Sequence, residues 1–140
     1  MRYLPWAFLA LAAYTLVAPL VSIVTRDVPS DVTVLITNSV LTLTALGLVV
    51  YNDQAVLRYL DPGHPKAGYM YLTAVLLAVG IIAYYRALAL GPVSVVVPIF
   101  GLFLVTSSIV GIVALEETLT ARKVAGITFA MLAVYLTSVE

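Results

Sequence analysis

Cysteine is absent from the 140 residues, and His64 is the single histidine. Neither a disulfide framework nor a thiolate metal site can be built, and the redox state of the compartment stays open. Charge is nearly as scarce. Charged residues are 10% of the chain and the formal net charge is zero, against about a quarter charged in an ordinary soluble domain. With no basic excess, nothing points to nucleic acid. No nucleophile stands beside a base, and no metal-ligating cluster or phosphate-cradling glycine loop is present, so enzyme chemistry has no foothold and no cofactor or metal is expected. No segment alternates apolar and polar residues with period two, which excludes a membrane barrel. Low-complexity stretches and a convincing internal repeat are also missing.

What the chain has is apolar surface. It is 63% hydrophobic with a mean hydropathy of +1.11, which makes the lipid bilayer its solvent and its first partner. Five apolar segments follow one another, at about 4–24, 32–51, 68–88, 92–115 and 122–139. Each approaches the roughly 20 residues that span about 30 Å of hydrocarbon, the last being the shortest. Backbone groups in lipid must be satisfied within the segment, so the segments are expected to be helices. The expected fold is an all-α membrane protein, one domain over 1–140, with a bundle of five transmembrane helices. The first segment is too long for a signal-peptide core and no small-residue cleavage site follows it.

The connections read RDVPSD, NDQAVLRYLDPGHPKA, the tight ALGP corner and EETLTA. Arg2, Arg58, Lys66, Arg122 and Lys123 fall on the side of the N-terminus, against Arg26 and Arg86 on the other. The positive-inside rule then places the N-terminus in the cytoplasm and, with an odd number of spans, the C-terminus outside. The plasma membrane is the expected location.

Polar residues within the apolar runs fall on helical stripes. Thr15, Ala18, Ser22 and Thr25 align in the first segment, and Asn38, Thr42 and Ala45 in the second. Thr73, Gly80 and Tyr84 align in the third; Ser94, Pro98, Gly101 and Ser108 align in the fourth. One such stripe packs helices closely, whereas a polar cavity between helices needs several. The prolines add to this pattern. Gly91-Pro92 suits a left-handed helix end followed by a helix start. Pro19 and Pro98 lie inside apolar runs, and each removes the N–H that would bond the carbonyl of Thr15 or Ser94 four residues earlier. Pro98 is therefore expected to break its helix and aim freed backbone at a ligand near the membrane midplane. Asn38 is the only carboxamide within the spans.

The run YYRALALGPVSVVVPIFGLFLVTSSIVGIVALEETLTARKVAGITFAMLAVYL resembles the second half of an EamA-type domain of the drug/metabolite transporter superfamily. Ala87, Leu88, Gly91, Pro92, Pro98, Glu117 and Gly126 match that family's pattern in order, and Glu116 stands where the family often has glycine. The resemblance implies one half of an inverted-repeat transporter, moving a small organic metabolite by alternating access. It would work as an antiparallel homodimer or as a heterodimer with a related chain. A non-transporting subunit packed against a partner is the alternative. The related small multidrug resistance proteins depend on a glutamate within their first helix, and the first helix here has no acidic residue, which speaks against proton-coupled cation export by that mechanism.

The expected substrate-binding residues are Thr15, Asn38, Tyr84, Ser94, Pro98 and Gly101. Gly126, Ala130 and Ala133, at steps of four and three, form the expected dimer contact, and Ser107 and Gly111 offer a second four-residue step. Glu117 is read as an interfacial residue pairing with Arg122 or Lys123. Arg86 is read as snorkelling, His64 as solvated, and Trp6, Tyr69 and Tyr71 as interfacial belt residues.

Overall fold

The computed structural model describes residues 3–116 and 118–138. Glu117, expected to pair with Arg122 or Lys123, lies outside the described residues. Six helices follow in order: α1 (Leu4–Val24), α2 (Ser30–Tyr51), α3 (Val56–Leu60), α4 (Ala67–Leu90), α5 (Val93–Ala114) and α6 (Ala121–Ser138). Among the described residues there is no strand. All five expected segments are helical within about two residues of their expected ends. Four of them, α1, α2, α4 and α5, are long and apolar enough to cross a membrane. α6 is 18 residues long and opens with Arg122 and Lys123 in its first turn, so it falls short of the other four as a span.

The large apolar side chains point outward. Leu76 is 62% exposed and Leu104 60%, an arrangement that only lipid or another protein surface can solvate. Among the described residues, the buried hydrophobic side chains are Ala18, Val21, Ala67, Tyr85, Leu88 and Val105. The chain divides into two compact units, Met1–Pro19 with Leu90–Glu140, and Leu20–Ala89. Within the first, α5 packs against α6.

The connections hold the largest departures from expectation. The long one after α2 contains α3, a helical turn that the apolar residues Val56, Leu57 and Leu60 could have signalled. Tyr71 ties it down by donating to the Leu60 carbonyl at 2.7 Å. Asp61 accepts the Gly63 N–H at 3.0 Å, and His64 Nδ1 accepts the Lys66 N–H at 3.1 Å, so His64 serves the loop. Gly91 does not take the left-handed conformation expected of it, because no described glycine has positive φ. Its corner is closed instead by Pro92, whose carbonyl accepts the N–H groups of Val95 and Val96 at 3.1 and 3.0 Å.

Among the described residues, left-handed backbone appears at two non-glycine positions, each just past a helix end: Asp53 at φ 51° after α2, and Glu116 at φ 55° after α5. In α5 the cap residue Leu115 bonds the Gly111 carbonyl at 3.2 Å, and Glu116 follows it at the position where helices most often place glycine. A side chain with a Cβ is strained there by about 1–2 kcal/mol. Glu116→Gly is therefore expected to stabilise the protein by about 1 kcal/mol. A thermal melt of the purified variant checks this; an unchanged or lowered midpoint would show that the glutamate side chain contributes more than the strain costs.

Candidate functional site

In the Leu20–Ala89 unit, α2 and α4 are joined by polar side chains. Tyr85 is buried at 4% exposure, and its hydroxyl lies 3.1 Å from Thr37 Oγ1. Thr37 Oγ1 is also 2.9 Å from the Thr33 carbonyl. A hydroxyl has one proton, so when Thr37 donates it to its own helix, Tyr85 donates to Thr37. Asn38 is half-buried beside this pair. Its amide nitrogen donates to the Val34 carbonyl at 2.9 Å and approaches Thr37 Oγ1 at 3.5 Å. Its Oδ1 accepts no hydrogen bond from a described residue. Toward the helix ends, Arg86 reaches Asp31 in the first turn of α2, with Nε and Nη2 3.3 and 3.2 Å from Oδ1 and Nη2 3.2 Å from Oδ2.

Most stripe hydroxyls have the same chemistry. Thr15 donates to the Leu11 carbonyl at 2.7 Å, Thr42 to Asn38 at 2.8 Å, Thr73 to Tyr69 at 2.7 Å and Ser108 to Leu104 at 2.7 Å. The protons are spent within the helices, so what these stripes present sideways is acceptor lone pairs. Ser94 differs, having an exposed hydroxyl with no side-chain hydrogen bond among the described residues.

The predicted substrate residues fall in both units: Thr15, Ser94, Pro98 and Gly101 in the first, Asn38 and Tyr84 in the second. Tyr84 is half-buried, while its neighbour Tyr85 makes the bond to α2, which the stripe pattern did not single out. Pro98 does not break its helix. α5 is continuous from Val93 to Ala114, with Pro98 inside it as the sixth of 22 residues. Pro98 removes one bond, to the Ser94 carbonyl, while the helix continues on both sides of it. Ser94 and Pro98 sit within the first two turns of α5. Thr15, Asn38 and Gly101 lie nearer the middle of their helices, at the twelfth of 21, ninth of 22 and ninth of 22 positions. A Cβ added at Gly101 would meet nothing within 4 Å, so the glycine leaves space rather than relieving a clash.

In the first unit an open groove of about 500 Å³ runs between α5 and α6. Leu104, Ile112 and Ile127 give it apolar walls, Ser107, Ser108, Gly111, Gly126 and Ala130 a small-residue lining, and Lys123 sits at one end. Thr120 fixes the start of α6 by accepting the Lys123 N–H at 3.3 Å, as a capping threonine does. Two of the expected dimer-contact residues, Gly126 and Ala130, thus share one groove with Ser107 and Gly111, whereas Ala133 does not line it.

Three arrangements were not visible from spacing: the Arg86–Asp31 pair, the Tyr85–Thr37 bond and the groove. Asp31 in a first turn and Arg86 near a helix end were the one available signal, since two consecutive antiparallel spans bring the start of the first and the end of the second to one level. Compared with known protein families, residues 1–139 match the model of the EamA-like transporter family. No curated protein and no solved structure gives a significant match.

Proposed function

We propose, from the premise that this chain belongs to the EamA-like transporter family, that it is a five-helix half-transporter in which α6 completes the membrane crossing. It moves a small organic metabolite by alternating access, paired with an oppositely oriented copy or a related chain, in the plasma membrane with its N-terminus in the cytoplasm. The observation that carries this reading is Asn38. A carboxamide in the ninth position of a 22-residue apolar helix, with no described residue donating to its oxygen, is costly in hydrocarbon unless water, a ligand or a partner supplies a donor. The back-bonded hydroxyls of Thr42 on α2 and Thr73 on α4 offer further acceptors in the same unit, so a solute bearing N–H or O–H groups complements them. The small-residue groove between α5 and α6 is the feature that favours the alternative, a non-transporting subunit packed against another protein.

A thermal-stability screen of the purified protein against amino acids, amines and nucleosides tests the reading, because a specific binder stabilises the native state. We expect at least one compound to raise the melting midpoint and to cross the membrane in proteoliposomes. Asn38→Leu should weaken its affinity by about tenfold, as loss of a buried hydrogen-bond partner does. Pro98→Ala, which restores an N–H facing the Ser94 carbonyl, should slow transport while leaving the melting midpoint equal or higher. A binder that is held but never moved would favour the subunit reading, and undiminished affinity in Asn38→Leu would assign the amide to packing.

A further inference from the structure

The geometry points to a releasable latch between α2 and α4, formed by Arg86 and Asp31, with the buried Tyr85 side chain and its contact to Thr37 as the fixed inner point about which the latched ends separate. The inference rests on the transport reading, since it supplies a moving part for alternating access. Tyr85 and Arg86 are adjacent on α4, yet their contacts with α2 differ in kind. The Tyr85 side chain is 4% exposed and its hydroxyl meets Thr37 at 3.1 Å; separating the helices here would expose the buried ring, so this contact stays closed. The Arg86–Asp31 pair is in contact at 3.2 Å, but the two side chains are 59% and 66% exposed. Water and salt compete for both charges, and the net strength of such a pair is small.

Opening it strands neither charge. Asp31 lies in the first turn of α2, where the helix N-terminus favours a carboxylate. Arg86 lies four residues before the end of α4, within reach of the interface by its long side chain. Both states of the latch therefore keep each ion solvated or partnered, which is what a two-position element requires. Thr33 stands between the two contacts along α2 and is 4% exposed, so its side chain reports on separation at this end.

The chain has no cysteine, so Thr33→Cys gives a single thiol in the full-length protein. Its modification by a membrane-impermeant maleimide would be timed in proteoliposomes. Asp31→Asn or Arg86→Gln is expected to raise the labelling rate about two- to fivefold, the range an exposed ion pair supports, and Arg86→Lys to leave it nearly unchanged. Raised salt should speed labelling in the parent and not in Asp31→Asn. The latch is overturned if the neutral variants label at the parent rate while the denatured protein labels fully, or if Arg86→Lys labels as fast as Arg86→Gln. The readout needs no solute. Unchanged labelling with intact transport removes the latch alone, and latch-dependent labelling in a protein that moves nothing removes the transport reading alone.

Discussion

Truncating Tyr85 to alanine is expected to destabilise the chain by about 3 kcal/mol, the lower end of the cost of removing a buried aromatic side chain. The effect should exceed that of any other truncation in α2 or α4. Tyr85 is the largest side chain among the few described residues that are buried, and it also supplies the hydrogen bond to Thr37. Tyr85→Phe keeps the ring and loses only the hydroxyl, for which interhelical bonds in membrane proteins average about 0.6 kcal/mol. Tyr84→Ala should fall between the two, since Tyr84 is half-buried. Unfolding the three variants in mixed micelles of increasing denaturing detergent gives the comparison. Equal losses for Tyr85→Phe and Tyr85→Ala would mean that the hydroxyl, and not the ring, holds α4 to α2. A Tyr84→Ala loss larger than that of Tyr85→Ala would mean that the stripe, and not the buried neighbour, is the structural face.

That ordering also shows what the sequence could convey. Helix positions were legible because the bilayer imposes one length and one polarity on every span, and the apolar runs carry both. α1 begins and ends where its run does, at Leu4–Val24. Family membership was legible because Gly91, Pro92, Pro98 and Gly126 stand in an order that packing alone does not demand. Side-chain partnerships were not legible. Tyr84 and Tyr85 differ by one step of 100° around a helix, and which of them meets α2 depends on how α4 is rotated, a quantity that an apolar segment exposed on nearly all sides does not encode. The break expected at Pro98 is not found: α5 runs through it as one helix, the proline costing a single bond to the Ser94 carbonyl. The left-handed corner expected at Gly91 is not found, and the left-handed residue lies at the other end of α5, at Glu116.

Replacing Gly126 with leucine is expected to leave the folded chain intact and to weaken its self-association by at least about tenfold, or 1.4 kcal/mol. The two halves of that expectation come from different observations. A Cβ at Gly126 meets nothing within 4 Å, and the groove it borders holds about 500 Å³, so the chain itself has room for the larger side chain. A partner helix does not, because close approach over Ser107, Gly111, Gly126 and Ala130 requires small residues along the whole contact. Ala133 does not line the groove, and this separates two versions of the dimer. If the partner lies in the groove, Ala133→Leu should weaken association much less than Gly126→Leu. Equal weakening would place the partner on the outer face of α6. Association measured by ultracentrifugation or by energy transfer between labelled copies decides between them, and unchanged association in Gly126→Leu would remove α6 from the contact. Orientation needs its own measurement, because Lys and Arg favour one side by five to two and that bias opposes insertion in both directions. Tagged termini mapped in native membranes should appear on both faces if two identical copies pair head to tail. If every N-terminus is cytoplasmic while Gly126→Leu still disrupts a complex, the groove receives a related chain of the opposite charge bias, and the antiparallel pair is a heterodimer.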